Sequence, residues 1–359
     1  MSQEILSEVR NGIGLITLNR PAALNALSFG MIREMHSQLT AWKHDSSVHA
    51  VLVQGAGEKA FCAGGDIRAI YDSMKAGTSL RFEYFADEYR LDHLVYGYPK
   101  PYLALMNGIC MGGGMGIAQG ARHRIVSGGT RIAMPETGIG FFPDVGGSYF
   151  LSRLPGALGM YLGLTGQHIR AADALYATLA DSYLAPQAIA EFHATLTKLR
   201  WTQDHGADIA AALHGLSEPF DSGATLPPLR DAIDEHFAKP DVPAMITSLR
   251  AETRFPEWSQ STLDALAKRS PLMLWVTARQ IQLGKTLSLA DCFRMELTMV
   301  HRSAQEHDFA EGIRALLIDK DNTPRWEFTC LEDVPPQRVD AFFASPWTAS
   351  SHPLANLRD

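Results

Sequence analysis

Short apolar segments alternate with glycine-rich loops and helical stretches over the first 200 or so residues of this chain. Three of the segments, GLITL at 14–18, HAVLVQG at 49–55 and YLALM at 102–106, have the length and composition of β-strands. Strands and helices that alternate in this way bury their apolar faces against one another in layers. The pattern therefore predicts an α/β fold.

The segment SFGMIREMHSQLTAWKH, residues 28–44, is typical of an amphipathic helix. Ser28 stands where a side-chain oxygen can cap the free N–H groups of the first turn. The apolar side chains that follow recur every three or four residues and predict one buried face. They are Ile32, Met35, Leu39 and Trp42. We assign this helix to the core and give it no functional role.

From about residue 200 onward, strand-like segments nearly vanish and helical periodicity dominates. The segment LSEPFDSGATLPPLRD at 216–231 interrupts that periodicity with prolines and a glycine. We therefore predict an α/β core over residues 1–215 and a mostly helical C-terminal extension over residues 216–359.

Charge and cysteine content argue against several classes of protein. A formal net charge of −7 provides no basic field for a polyphosphate backbone, so nucleic acid is not an expected partner. The four cysteines are widely spaced in a chain too long to need disulfides, which indicates reduced thiols in a cytoplasm. Neither a targeting signal nor an apolar segment long enough to span a membrane is apparent.

The first glycine-rich loop, GAGEKAFCAGGD at 55–66, follows a predicted strand. Its first six residues match the relaxed dinucleotide-binding pattern, but Gly64 and Gly65 would weaken the helix that this pattern requires. A tight surface turn is a better explanation than nucleotide binding. A third interpretation is that Gly65, which has no Cβ, lets a carbonyl oxygen approach its backbone N–H.

The second loop, MNGICMGGGMGIAQG at 106–120, contains three consecutive glycines. Such a run is costly in chain entropy unless the backbone bends sharply or is approached closely. Close packing of a helix against the sheet is one explanation. The other is a helix that begins near Gly113 and directs its free N–H groups at a developing oxyanion. Two loops that each supply one N–H would form a two-donor oxyanion hole.

The stretch MPETGIGFFPDVGG at 134–147 places two acids, Glu136 and Asp144, among apolar residues and glycines. Burial of a carboxylate without a cation is costly or raises its pKa. Pro135 fixes the backbone before Glu136, and the GIGFF segment supplies an apolar wall that would raise the pKa of this glutamate. An exposed loop glutamate is the alternative, but the two preceding glycine loops favour a catalytic base.

Four segments together resemble the crotonase (enoyl-CoA hydratase/isomerase) superfamily in their order and spacing. They are RPAALNALS at 20–28, AFCAGGD at 60–66, NGICMGGGMG at 107–116 and MPETGIGFFPDVGG at 134–147. The resemblance implies an α/β fold, a crotonase-like ββα spiral core with a C-terminal helical region that covers the active site. It also implies a CoA thioester substrate and an oxyanion hole formed by the N–H groups of Gly65 and Gly113.

Within this superfamily, hydratases carry a second glutamate where this chain has Gly116, and commonly a glycine where it has Asp144. The segment FFPDVGG and residues 307–326 are similar to the 3-hydroxyisobutyryl-CoA hydrolase subfamily. That similarity implies hydrolysis of an acyl-CoA thioester in valine breakdown, with Glu136 as nucleophile or base. Asp144 would orient the 3-hydroxyl or the attacking water and assist proton transfer to the leaving thiolate.

The same resemblance implies substrate contacts from Gly113, Glu88, Ala63 and Asp66. Glu88 has an alternative as a solvated helix residue, because RFEYFADEYRLDHL at 81–94 carries charges on one face. No cofactor is expected, since CoA is part of the substrate, and the 13 histidines show no metal-ligand spacing.

Alternative functions are an enoyl-CoA isomerase or hydratase of the same superfamily, or a CoA-binding scaffold without activity. We expect an acyl-CoA partner and neither a nucleic-acid nor a membrane partner. A homo-oligomer is left open, although the superfamily is often trimeric or hexameric.

Overall fold

The computed structural model describes residues 3–359, so the first two residues of the predicted core 1–215 lie outside it. The strands are β1 Ile5–Arg10, β2 Ile13–Leu18, β3 Ala50–Gly55, β4 Ala60–Cys62, β5 Tyr102–Met106, β6 Ile109–Met111, β7 His123–Val126, β8 Arg131–Ala133, β9 Ile169–Arg170 and β10 Ser182–Tyr183. The α-helices are α1 Phe29–His44, α2 Ile67–Ala76, α3 Leu80–Tyr96, α4 Gly113–Gln119, α5 Gly147–Leu151, α6 Leu158–Thr165, α7 Ala171–Tyr176, α8 Ala188–Lys198, α9 His205–His214, α10 Arg230–Phe237, α11 Val242–Arg250, α12 Pro256–Ala267, α13 Pro271–Gly284, α14 Leu289–Ser303, α15 His307–Ile313 and α16 Pro336–Asp340.

The strands form two sheets. The larger has the order β1-β2-β3-β5-β7-β10, and its neighbours are parallel except for the antiparallel pair of β1 and β2. The smaller has the order β4-β6-β8-β9, with β4 parallel to β6 and β8 antiparallel to β9. Strands that are separated by helices in the sequence thus pair in the sheet, and the predicted α/β class is confirmed.

The chain forms two compact units, each made of three segments. The first unit comprises the residues up to Asp66, Arg90–Ile132 and Ile169–Ala224. The second unit comprises Ile67–Tyr89, Ala133–His168 and Thr225–Asp359. Residues 216–359, all of them described, contain helices and no strand. The predicted division between residues 215 and 216 stays a prediction.

The core of the first unit lies between the larger sheet and the helices α8 and α9. Leu52 of β3 and Leu103 of β5 are buried there in one cluster with Phe192 of α8 and Ile209 of α9. Each side chain of this size contributes about 1.5–3 kcal/mol when it leaves water. This burial fixes the sheet from which the glycine-rich loops emerge.

Helix α1 begins as the sequence predicts, because the Ser28 hydroxyl oxygen accepts a hydrogen bond from the N–H of Met31. Its four predicted core residues are all buried. They are Ile32, Met35, Leu39 and Trp42. The assignment of this helix to the core is therefore confirmed.

In the second unit, helix α13 packs on α5 and α6. The approach to α5 is close enough to require a glycine: a Cβ on Gly284 would lie 2.0 Å from the backbone oxygen of Ser148. The C-terminal helices thereby reach the backbone of the segment that carries Asp144. Over residues 3–359, no helix combines the length and the apolar character needed to cross a membrane.

Candidate active site

The third position of the dinucleotide-binding pattern, Ala60, begins strand β4 and opens no helix, and the loop after β4 is a turn. Gly64 has a φ of +111°, a backbone conformation that favours glycine. The next helix, α2, begins only at Ile67. The dinucleotide-binding interpretation, which needs a helix start within the glycine pattern, has no structural support in this loop.

Backbone hydrogen bonds in this turn engage the neighbours of Gly65 and leave its own N–H available. The N–H of Ala63 donates to the carbonyl oxygen of Leu24 at 3.0 Å, and that of Asp66 donates to Leu27 at 2.9 Å. The N–H of Gly65 donates to no backbone acceptor within residues 3–359. An external carbonyl oxygen is a suitable acceptor for it.

Different residues of the second glycine loop match its two interpretations, close packing and a helix start with free N–H groups. A Cβ on Gly114 would lie 2.4 Å from the backbone oxygen of Cys62, so this glycine is required for packing. Gly113 is the first residue of α4, where helical N–H groups lack intrahelical partners. The two loops lie side by side in the first unit, because a Cβ on Gly64 would be 3.9 Å from the nitrogen of Gly113. We call the loop after β4, residues 63–66, and the start of α4, residues 112–114, the glycine turns.

Two further predicted contact residues flank the first glycine turn. The N–H of Ala63 donates to the carbonyl oxygen of Leu24, so a backbone hydrogen bond from Ala63 to a ligand would have to use its carbonyl group. The carboxylate of Asp66 lies 3.0 Å from the guanidinium of Arg20, which also lies 3.1 Å from Glu4. The predicted substrate contacts of Ala63 and Asp66 stay predictions.

Glu136, in the second unit, is buried in a 3₁₀ helix, Glu136–Ile139, that follows Pro135. Its side chain is 7% exposed, and its Oε2 has no hydrogen-bond partner among residues 3–359. Burial raises the pKa of Glu136 well above its usual value, and the neighbouring Asp144 raises it further. The alternative of an exposed loop glutamate is therefore wrong.

Asp144 is also buried, and its Oδ2 accepts a hydrogen bond from the Tyr89 hydroxyl at 2.8 Å. Burial raises the pKa of Asp144 from 3.8 to about 7, although the hydrogen bond from Tyr89 acts in the opposite direction. An acid with this pKa is populated in both protonation states near neutral pH. That property suits proton transfer.

Glu88 lies on α3 and is 2% exposed, so its interpretation as a solvated helix residue is wrong. Its Oε1 has no hydrogen-bond partner in the described chain. Burial raises its pKa well above the usual value, and the charges of Asp144 and Glu136 add to the rise. These electrostatic effects identify the three acids as neighbours.

The apolar wall that the sequence predicts after Glu136 is present. Phe141 and Phe142 are buried and stacked, with ring centroids 4.4 Å apart. Phe141 also stacks on Phe309 of α15 at 4.4 Å and on Phe85 of α3 at 5.6 Å. These rings exclude water from the acids and explain why burial is the largest cause of each pKa shift.

Sequence reasoning missed two residues of this region, Tyr89 and Glu296. Glu296 is a fully buried acid on α14, and the charge of Asp144 contributes to its raised pKa. A signal was available, because Glu296 follows Phe293 by three residues and precedes Val300 by four, on the apolar face of the helix. We call Glu88, Glu136, Asp144 and Glu296 the carboxylate cluster.

A separate polar group in the second unit gathers Glu235, His236 and Glu252, with potential ligand atoms within 4.8 Å of one another. The Arg254 guanidinium lies 2.7 Å from Glu235 and 2.6 Å from Glu252, so an arginine cation already pairs with both acids. The ring of His236 contacts Glu252 and the hydroxyl of Ser248. The expectation that the protein binds no metal stays a prediction.

Comparisons with known proteins agree on one family. The model of the family described as enoyl-CoA hydratase/isomerase matches residues 13–343. A mitochondrial 3-hydroxyisobutyryl-CoA hydrolase of Danio rerio is 42% identical over 346 residues, covering 95% of this chain and 90% of the relative. The mitochondrial protein of the same name in Gallus gallus is 40% identical over 342 residues, covering 95% and 88%.

A solved structure, a carnitinyl-CoA dehydratase from Mycobacterium thermoresistibile, is 41% identical to this chain and superimposes with a TM-score of 0.88. The match covers 96% of this chain and 97% of that one. This likeness confirms the predicted crotonase-like fold, and the two hydrolase relatives confirm the predicted resemblance to their subfamily.

Proposed function

Because the chain belongs to the enoyl-CoA hydratase/isomerase family, we propose that it hydrolyses 3-hydroxyisobutyryl-CoA to 3-hydroxyisobutyrate and CoA. The two hydrolase relatives, similar over nearly the whole chain, support this substrate. The observation that carries the proposal is Glu136, a buried acid with a free oxygen and a second acid, Asp144, as its charged neighbour. Such a pair supplies the proton transfers that thioester hydrolysis requires.

In the proposed reaction, ionised Glu136 removes a proton from a water molecule. The water oxygen forms a bond to the thioester carbon, and the carbonyl electron pair moves to the carbonyl oxygen. The N–H groups of Gly65 and Gly113 would stabilise this oxyanion, at about 3–4 kcal/mol for each donor. When the carbonyl bond re-forms, the C–S bond breaks and its electron pair leaves with sulfur.

Asp144 is proposed to deliver the proton that converts the leaving thiolate into the thiol of CoA. Its pKa of about 7, raised by burial, keeps both protonation states accessible near neutral pH. Glu136 then passes the proton taken from water to Asp144, and both acids return to their starting states. Glu88 and Gly113 are proposed to contact the acyl group.

Glu136 acting as a nucleophile is the second possible route. Its carboxylate would attack the thioester carbon, expel the thiolate and form an anhydride that water hydrolyses. A rapidly quenched reaction in oxygen-18 water, analysed by mass spectrometry, distinguishes the routes. An acyl group or heavy oxygen on the peptide that contains Glu136 indicates nucleophilic attack.

A thiol-trapping dye with 3-hydroxyisobutyryl-CoA tests the proposed function. We expect release by the wild-type protein and by Glu34→Gln, an exposed acid on α1, and a loss of about 10²–10⁴-fold in Glu136→Gln. Wild-type release no faster than that of Glu136→Gln would contradict hydrolysis. A shift of a double bond in an enoyl-CoA without thiol release would instead favour the isomerase alternative, and thioester binding without any turnover would favour the scaffold.

The cellular compartment, the lack of a metal and the oligomeric state are also proposals. The cytoplasm stays the proposed compartment, although both relatives are named mitochondrial. None of the four cysteines, all within residues 3–359, forms a disulfide, which agrees with a reducing location. Cell fractionation tests it. Turnover after exhaustive chelation tests the expected lack of a metal, and light scattering on a sizing column tests the open question of a homo-oligomer.

A further inference from the structure

The segment that carries Asp144 contains a turn with an unfavourable backbone conformation. The N–H of Gly147 donates to the carbonyl oxygen of Asp144 at 2.7 Å and closes the turn. Val145 and Gly146 occupy its centre with φ values of +52° and +86°, the signs of a type I′ turn. Glycine adopts such values readily, but a β-branched valine at positive φ is an outlier that costs about 1–3 kcal/mol. The local sequence alone does not select this turn.

Glu296 supplies contacts that select it. One carboxylate oxygen accepts a hydrogen bond from the N–H of Gly146 at 2.8 Å, and the other accepts from the N–H of Ser148 at 2.8 Å. The side chain is fully buried, so these bonds compete with no water. The two N–H groups point to the same side because the backbone between them runs through Gly146, with a φ of +86° and a ψ of +10°, and Gly147, the first residue of α5.

Gln280 on α13 holds the carbonyl side of the same segment. Its Nε2 donates to the carbonyl oxygen of Pro143 at 2.5 Å and to the hydroxyl oxygen of Ser148 at 2.9 Å. Helices α13 and α14 thus bind the backbone on both sides of Asp144, while the Tyr89 hydroxyl binds the Asp144 carboxylate. Within this set, Glu296 is the group that binds the strained part of the turn.

We propose that Glu296 is a positioning residue for the reaction, because its carboxylate holds the Val145–Gly146 turn and thereby the carboxyl group of Asp144. The catalytic meaning of this inference rests on the proposed hydrolase function. Glu296 forms no bond to the substrate and transfers no proton in the reaction. Its contribution is the fixed position of Asp144, and a misplacement of about 1 Å at such a group costs about 10²-fold in rate.

Glu296→Gln is the direct test. A glutamine has one acceptor oxygen, so one N–H of the turn faces the amide NH₂ group and loses its bond. We expect kcat to fall about 10–100-fold with little change in KM, and the amides of Gly146 and Ser148 to exchange hydrogen faster than in the wild type. Asp291→Asn, an exposed acid at the start of the same helix, is the matched control and should change neither quantity.

A second substitution distinguishes a specific role from general damage to the fold. Val145→Gly relieves the strain of the turn. The double variant that combines it with Glu296→Gln should therefore have a kcat several-fold higher than that of Glu296→Gln alone. Wild-type kcat and unchanged amide exchange in Glu296→Gln would overturn the inference. A loss of kcat that Val145→Gly leaves uncorrected would overturn it too, because the loss would then not act through the turn.

The hydrogen-exchange measurement needs no substrate. If the wild-type protein hydrolyses no thioester, the proposed function fails, while exchange at Gly146 and Ser148 still decides whether Glu296 holds the turn. Wild-type hydrolysis with an unaffected Glu296→Gln variant would contradict only the inference. The two failures are therefore distinguishable.

Discussion

The glycine turns of the first unit and the carboxylate cluster of the second unit are built by opposite means. In the glycine turns the proposed functional groups are backbone N–H groups, and the sequence acts by leaving side chains out, as at Gly114. In the carboxylate cluster the proposed functional groups are acids that the fold keeps away from water, as at Glu136. A replacement in the first region should therefore disturb folding, whereas a replacement in the second should disturb chemistry.

This difference has an energetic origin. A close backbone contact is stabilising and leaves no room for a Cβ, so its loss lowers stability. A buried acid without a cation is destabilising when charged, so its replacement by an amide lowers activity without a matching loss of stability. The four tests below ask whether the two regions respond in these two ways.

Asp144→Asn should give the largest effect. We expect thiol release to fall about 10²–10⁴-fold, because the amide cannot transfer a proton, while the free energy of unfolding stays the same or rises. Thiol release and urea unfolding measure the two quantities, with the exposed Asp72→Asn as control. A variant that loses stability along with activity would break the comparison.

The pH dependence of stability should show the carboxylate cluster directly. Burial raises the pKa of Asp144 from 3.8 to about 7. Between pH 4 and 7 the folded protein thus holds a proton that the unfolded chain has released. The free energy of unfolding should fall by a few kcal/mol as pH rises through this window. Urea unfolding at pH 5 and pH 8 measures it, and stability that increases with pH would contradict the assignment.

Gly114→Ala tests the other region. The added Cβ would lie 2.4 Å from the backbone oxygen of Cys62, so we expect a loss of about 1–3 kcal/mol in the free energy of unfolding. Gly30→Ala is a matched control, since its Cβ would meet only the Ser28 hydroxyl oxygen at 3.7 Å. Equal stabilities of the two variants in urea would show that the glycine turns do not depend on close packing.

Tyr89→Phe should give the smallest effect. The hydrogen bond from the Tyr89 hydroxyl lowers the pKa of Asp144, so its removal should raise that pKa. The limb of the pH–rate profile that lies near neutral pH should then move to higher pH. We expect a loss of about tenfold in thiol release at pH 7, because the Asp144 carboxyl group loses the hydrogen bond that orients it. The loss stays small because the ring and its packing on Phe293 are kept. An unshifted pH profile would show that this limb reports another acid.

The glycine turns could be predicted from the sequence because their parts are contiguous. Gly65 and Gly113 lie in glycine-rich loops that come after predicted strands, and a local pattern suffices to identify these loops. The burial of Glu136 could be inferred for the same reason, from the apolar residues next to it. The contacts of Tyr89 and Glu296 with the Asp144 segment could not, because they join residues 55 and about 150 positions apart.

The interlaced order of the second unit has a consequence for how the protein is made. A nascent chain that has reached Ala224 already contains Glu88, Glu136 and Asp144, but not the last of the three segments that enclose them. Since domains fold as units during synthesis, these acids stay hydrated, with ordinary proton affinity, until the ribosome has added α13 and α14. Synthesis of the third segment is thus what converts three hydrated acids into buried acids with raised pKa values.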